Sequence, residues 1–311
     1  MKRLCDLESL DESLRGGAVS IGNFDGVHLG HAQIIAQLVA MGRQVDGPTV
    51  VFTFDPHPVR LLRPASAPPP LTGTDRKAEL VSQLGVDAMI AFPTDLHLLQ
   101  LSPRDFFDQI VCQRLDARAL VEGPNFFFGR GRAGTIELLR EFSAEAQIAL
   151  DVVPAVEVDD EIVSSSRVRQ LLAAGDVDTV RRLLTQPYRL RGTVTHGAGR
   201  GADIGFPTAN LEAIDTTLPG TGVYAGRGTE GNRTWPAAIN VGPNPTFGDE
   251  AEKVEVHLNG CNESLYGRVL EVDFLSRLRD IRRFENTGAL KLQLADDVTT
   301  AERIATDTSD P

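Results

Sequence analysis

The 311-residue chain changes its periodicity once, near Gln186-Pro187, and that change limits what it can fold into. Before it, short apolar runs at residues 18–21, 49–54, 88–92, 119–121 and 148–153 alternate with segments of helical spacing. Such alternation predicts βαβ units and a mostly parallel sheet. After it, residues 188–195, 222–225, 237–241, 254–258 and 269–274 read as short strands separated by Gly/Pro turns. Strands without intervening helices predict a small antiparallel barrel or sandwich. Leu290, Leu294 and Val298 then mark one closing helix, and residues 306–311 read as a flexible tail. Two domains are expected, 1–185 and 187–305, each long enough to bury a core.

In the first half, the strand at 18–21 feeds the string Gly22-Asn23-Phe24-Asp25-Gly26-Val27-His28-Leu29-Gly30-His31. Beyond it, Ile34, Ile35, Leu38 and Val39 give the apolar stripe of a helix. Glycines at 22, 26 and 30 let the backbone come close to a ligand. The free N–H groups and dipole of a helix start suit a phosphate, and two imidazoles there can hydrogen-bond a phosphoryl group as charge builds on it. A zinc site would need further ligands, and no other Cys/His pair with metal spacing occurs.

Three more loops should meet this turn, because ligands of parallel sheets bind beyond the strands' C-terminal ends. Asp55-Pro56-His57-Pro58 ends the second strand. Gly123-Pro124-Asn125-Phe126-Phe127-Phe128-Gly129 runs into Arg130 and Arg132, a combination that suits a planar ring plus phosphate. Ser164, Ser165 and Ser166 with Arg169 one turn on offer a second phosphate cradle, or an ordinary N-cap. Asp75 is expected to cap a helix carrying Leu80, Val81 and Leu84 that stops at Gly85.

In the second half, Gly205-Phe206-Pro207-Thr208-Ala209-Asn210-Leu211 puts Thr208 and Asn210 on one side of an extended segment. Two neutral oxygens there, with nucleotide phosphates, suit Mg²⁺. Val254-Glu255-Val256-His257-Leu258 alternates, so Glu255 is a candidate general base for a hydroxyl, or part of a solvated strand face. The net charge of −12 is shared by both halves, which excludes the basic surface that nucleic acid demands. Cys5, Cys112 and Cys261 are few and far apart, as expected in a reducing compartment. No 18-residue apolar run exists, so no membrane partner is expected. The start at Met1 lacks the apolar core of a leader, and a cytoplasmic protein is the expectation.

Taken in order, these strings resemble a known family. G-N-F-D-G-V-H-L-G-H, P-H-P at 56–58, the Gly123–Gly129 loop and S-S-S-R-V-R at 164–169 resemble the FMN adenylyltransferase half of bacterial bifunctional riboflavin kinase/FMN adenylyltransferases. T-H-G-A-G at 195–199, G-F-P-T-A-N-L, G-V-Y-A, I-N-V-G-P-N-P-T-F, V-E-V-H-L, L-Y-G and the 274–284 segment resemble their riboflavin kinase half. The resemblance implies a Rossmann-like nucleotidylyltransferase domain followed by an antiparallel β-barrel kinase domain with a C-terminal helix. It implies ATP as substrate, Mg²⁺ as cofactor, and riboflavin, FMN and FAD as the other ligands. In the first domain it implies His28 and His31 as catalytic residues. Gly22, Asn23, Phe24, Asp25, Gly30, Ser164, Ser165, Ser166 and Arg169 would surround ATP, with Pro56, His57, Pro58, Asn125, Phe126 and Phe128 around FMN. In the second it implies Glu255 as base and Thr208 and Asn210 on Mg²⁺. Gly199, Arg200, Gly205, Pro207 and Arg279 join them around nucleotide and flavin. Two positions depart from the pattern: Ser166 stands where Thr is usual, and Ala202 where Arg is usual, with Arg200 two residues away.

Overall fold

The computed structural model describes residues 1–8, 10–197, 199–244 and 249–308. The chain divides into two compact units, Met1–Pro68 with Thr72–Ser164, and Pro69–Leu71 with Ser165–Pro311.

In the first unit, β1 (Lys2–Leu4), β2 (Ala18–Ile21), β3 (Thr49–Asp55), β4 (Ala88–Pro93), β5 (Ala119–Glu122) and β6 (Ala149–Val152) form one parallel sheet, in the order β1-β4-β3-β2-β5-β6. Its helices are α1 (Leu29–Gln44), α2 (Pro58–Leu62), α3 (Thr74–Gln83), α4 (Leu96–Gln100), α5 (Pro103–Phe106, running on as a π-helix over Phe107–Arg114) and α6 (Ile136–Glu145). Successive strand residues enter opposite cores. Val19, Ile21, Val50 and Phe52 pack with Phe106, Phe107 and Leu139, whereas Ala18 and Val51 pack with Ile35, Leu38 and Val81. Burial on both faces is why these strands read as continuous apolar runs.

Helix α3 corrects one expectation. Its N-cap is Gly73 with no side-chain cap, and Asp75 lies in the first turn. There it complements the dipole, and its carboxylate is taken by Arg3. The helix does stop before Gly85, which sits at φ +87°. A short hairpin, β7 (Glu157–Val158) and β8 (Glu161–Ile162), closes the unit.

The second unit begins with α7 (Ser165–Ala173) and α8 (Val177–Leu183). A closed antiparallel barrel follows: β9 (Tyr188–Thr195), β10 (Ala209–Glu212), β11 (Gly222–Glu230), β12 (Arg233–Asn244), β13 (Asp249–Leu258) and β14 (Val269–Arg279), in the order β10-β13-β12-β11-β14-β9. Strand β10 pairs with both β13 and β9 and so closes the barrel. Four-residue α9 (Arg200–Asp203) sits in the β9–β10 connection. Helix α10 (Thr287–Asp307), capped by Asn286, packs across β11 and β12. It runs past residue 306, where the tail was expected to start, and residues 309–311 lie outside the described residues. So do Pro245, Thr246 and Phe247 of the I-N-V-G-P-N-P-T-F string.

The expected boundary near residue 186 falls inside this second unit. Val177, Val180 and Leu183 of α8 are fully buried, α8 packs on β14 and β9, and the Arg277 amide donates to Asp178 at 3.0 Å. Cys5, Cys112 and Cys261 are free thiols. Among the described residues no helix is long and apolar enough to cross a membrane.

Two candidate active sites

The parallel sheet grows from β2 in two directions, through β3 to β4 on one side and through β5 to β6 on the other. A crevice opens at such a switch point, beyond the C-terminal ends of β2 and β5. The strings after Ile21 and after Glu122 both begin there. At its base the Ile21 amide donates to Glu122 Oε1 at 2.7 Å. Burial pushes the Glu122 carboxyl well above its usual range.

His28 is the N-cap of α1, and its Nδ1 accepts the His31 amide at 3.4 Å. A neutral His28 therefore carries its proton on Nε2. The two rings stack, 3.6 Å between centroids and 17° apart. Gly30 makes room for this, since a Cβ there would come within 3.2 Å of the His28 ring. Burial lowers the His28 pKa to about 4, against the pull of Asp25. Burial, then the charges of His28 and Lys77, hold His31 well below the usual histidine range. Both imidazoles are neutral at pH 7 and act as hydrogen-bonding groups rather than cations.

The fixed positive charge here comes from Lys77 on α3, which sequence reasoning missed. It is buried, and its Nζ donates to the Asn23 carbonyl at 2.6 Å and to Thr53 Oγ1 at 3.3 Å. Burial lowers its pKa, while Asp25 and Asp55 act to raise it. In sequence it is one more polar position on an amphipathic helix, and only the fold turns it inward. The loop is pinned further by Asp25, whose Oδ1 accepts the Thr72 amide at 3.1 Å, and by Thr72 Oγ1, which accepts the Gly26 amide at 3.0 Å. These bonds hold Phe24 and Val27 at φ of 46° and 41°, a region that disfavours bulky side chains. Asn23 Oδ1 and His31 Nδ1 are buried without partners among the described residues.

The other expected pieces sort differently. His57 caps α2, its Nδ1 accepting the Val59 amide at 3.1 Å, with Pro58 at the first helical position and Pro56 just before. Asn125 is exposed. Phe128 is buried in the core beside Phe106 and Phe142, with Phe126 stacked on it at 5.5 Å. Phe127 is the exposed ring of the three, and Arg132 lies 4.6 Å from its centroid. Ser164 ends the first unit, while Ser165, Ser166 and Arg169 form the start of α7 in the second.

In the second unit a cleft of about 190 Å³ lies against the barrel. Val254, Val256 and Leu258 fill the barrel interior, so Lys253, Glu255 and His257 face outward, and all three line the cleft. Thr208 and Asn210 line it too, as do Gly199, Arg200, Pro207, Arg279 and Ala202. Asn210 stands directly opposite Glu255 in the β10–β13 register. The His257 ring reaches the Pro207 carbonyl at 2.8 Å. A carbonyl only accepts, so Nδ1 carries the proton and ties the Phe206-Pro207-Thr208 segment to β13. Glycines set the other wall: a Cβ at Gly197 would fall 2.1 Å from the Asn210 amide, and one at Gly201 would fall 2.3 Å from the Phe206 carbonyl. Gly205 completes this turn at φ +91°.

Asp297 of α10 was not singled out from the sequence. It is a buried acid that takes the Arg279 guanidinium through both oxygens, Nη2 at 2.7 Å and Nε at 3.1 Å. The pair fixes Arg279 beside the Phe284 ring, 5.7 Å away. Leu290, Leu294 and Val298 of the same helix give the cleft an apolar wall.

A family model for FAD synthetase matches residues 10–167, and one for riboflavin kinase matches residues 184–305. The chain is 35% identical over 306 residues to the bifunctional riboflavin kinase/FMN adenylyltransferase of Pseudomonas fluorescens, covering 98% of each. It is 33% identical to that of Escherichia coli (strain K12), over 97% of each, and 31% identical to that of Bacillus subtilis (strain 168), over 93% of this chain and 92% of that one. A crystal structure from Streptococcus pneumoniae described as a macrolide-efflux protein aligns with a TM-score of 0.83 at 27% identity, over 99% of each chain.

Proposed function

The chain belongs to the bifunctional riboflavin kinase/FMN adenylyltransferase family, and from that premise we propose how its residues share the two reactions. The enzyme phosphorylates riboflavin to FMN and adenylylates FMN to FAD, with ATP as donor. In our reading Glu255 accepts the proton of the riboflavin 5′-hydroxyl as its oxygen attacks the γ-phosphorus of ATP. The bond from that phosphorus to the bridging oxygen breaks, and ADP leaves. The observation that carries this is the Asn210–Glu255 pairing inside a cleft walled by a glycine-rich loop on one side and α10 on the other.

The donor set also fits Mg²⁺. Thr208 and Asn210 supply neutral oxygens, and the loop backbone lies close against Asn210. Few protein ligands plus phosphates is how Mg²⁺ is usually held. When bound there it neutralises phosphate charge. Thr208→Ala is expected to raise the Mg²⁺ concentration for half-maximal FMN formation by about 10–100-fold, as losing support of a metal ligand does. FAD formation from supplied FMN should keep its parental Mg²⁺ dependence. A parallel shift in both steps would count against the assignment.

In the first unit the attacking group is an FMN phosphate oxygen, already an anion, so no base is needed. It attacks the α-phosphorus of ATP, and the bond to pyrophosphate breaks. His28, His31, the start of α1 and Lys77 stabilise the growing charge. Asn23, Phe24 and Asp25 shape the loop, Pro56, His57 and Pro58 edge it, and the free cysteines fit a cytoplasmic setting. Supplying riboflavin or FMN with Mg²⁺ and ATP, then separating the flavins, tests the division. Riboflavin should yield FMN and then FAD, whereas FMN should yield FAD alone.

The units should also separate, with the cut before α7. A fragment of residues 165–311 should fold and make FMN but no FAD. Starting at 187 removes Val177, Val180 and Leu183, each worth roughly 1.5–3 kcal/mol of burial, a large share of a typical 5–15 kcal/mol stability. The shorter fragment should melt well below the longer one in a thermal scan. Equal melting temperatures would put the boundary back near 186.

A further inference from the structure

The kinase cleft contains a row of cross-strand partners that runs beyond the residues assigned so far. Thr195 on β9 stands opposite Asn210 on β10, Asn210 opposite Glu255 on β13, Glu255 opposite Asn240 on β12, and Asn240 opposite Val223 on β11. Their neighbours Val194, Leu211, Val254, Ile239 and Tyr224 are buried in the barrel, so the row shares the outward face. Directly opposed side chains on one face lie about 4.5–5.5 Å apart at Cβ. Glu255 thus has a carboxamide on each side.

The two carboxamides differ in surroundings. Asn210 is packed against the Gly197 backbone on the side of Thr208, where our reading puts the phosphates. Asn240 lies on the other side, next to Val223, and lines the same cleft. Its Nδ2 is buried with no hydrogen-bond partner among the described residues. A buried donor left unmade is costly, and in a binding cleft it marks where a bound group completes the set. In-line transfer sets attacking and leaving oxygens on opposite sides of the phosphorus. With the nucleotide on the Asn210 side of Glu255, the alcohol and the chain behind it lie on the Asn240 side.

We propose that Asn240 is a substrate-positioning residue of the kinase step, its Nδ2 donating to a hydroxyl oxygen of the ribityl chain and so holding the 5′-hydroxyl at Glu255. A neutral amide suits a neutral polyol, and the apolar Val223, Leu290 and Leu294 suit the ring system that follows. This rests on the reading of Glu255 given above.

The test uses the full chain and Asn240→Leu, which keeps the branched heavy-atom skeleton and removes the donor, with the smaller Asn240→Ser as a second variant should the first not fold. Riboflavin and lumiflavin, which has the same ring and no ribityl chain, are titrated by flavin fluorescence. Riboflavin affinity should fall about three- to tenfold, the worth of one hydrogen bond between neutral groups, while lumiflavin affinity, the KM for ATP and FAD formation from FMN stay parental. Unchanged riboflavin affinity, an equal loss for lumiflavin, or a raised KM for ATP would each overturn the proposal. A fully active Glu255→Gln would overturn the underlying reading instead, whatever Asn240→Leu does.

Discussion

Glu255→Gln is expected to lower riboflavin phosphorylation by roughly 10²–10⁴, the usual worth of a general base, and to leave FAD formation from supplied FMN at the parental rate. Gln keeps the length and hydrogen-bonding reach of Glu but cannot take the proton. The position is half-exposed in a cleft rather than in the barrel core, so the swap should move the melting temperature little. Three readings of Glu255 then separate on one variant. A base loses FMN production alone. A structural anchor loses stability together with riboflavin binding. A solvated face loses nothing, and near-parental FMN production would remove Glu255 from the mechanism.

His28→Ala and His31→Ala are each expected to lower FAD formation by about 10²–10³, as removal of one donor to a developing oxyanion does, with FMN formation unchanged. Because the rings stack at 3.6 Å and His28 accepts the His31 amide, the two should act as a unit. The double variant should therefore lose little more than the worse single one. The magnitude also has a pH signature. His28 titrates near 4, so the imidazole stays neutral and its contribution to FAD formation should be flat from pH 6 to 8. A loss of FMN production equal to that of FAD would show that these histidines serve the fold or both reactions.

Local chemistry made much of this legible in the sequence. The strand at 18–21, the turn after it and a helix beginning with His28 and His31 are decided by hydrogen bonds a few residues apart, and β2 and α1 appear there. Alternation around Glu255 separated Val254 and Val256 from Glu255 and His257 onto opposite strand faces, because the side-chain period of a strand is fixed at two. The apolar spacing of Leu290, Leu294 and Val298 likewise gave α10.

What the sequence could not decide was what long-range closure brings together. A strand four residues long at 209–212 becomes visible only when its partners β9 and β13 are in place. That same closure sets Asn210, Glu255 and Asn240 at one register level, although they come from three separate stretches of chain. Phe126, Phe127 and Phe128 look alike in the string, and packing against Phe106 and Phe142 sends Phe128 into the core. Lys77 and Asp297 read as solvated helix positions until tertiary packing buries them, one over the Asn23 carbonyl and the other on Arg279. The apolar faces of α7 and α8 say only that they are covered; α8 docks on β9 and β14 and α7 packs on α8, which gives both to the barrel's unit. Short-range hydrogen bonding and periodicity are written residue by residue, whereas register, burial of charge and the choice of which apolar face meets which depend on the whole chain closing on itself.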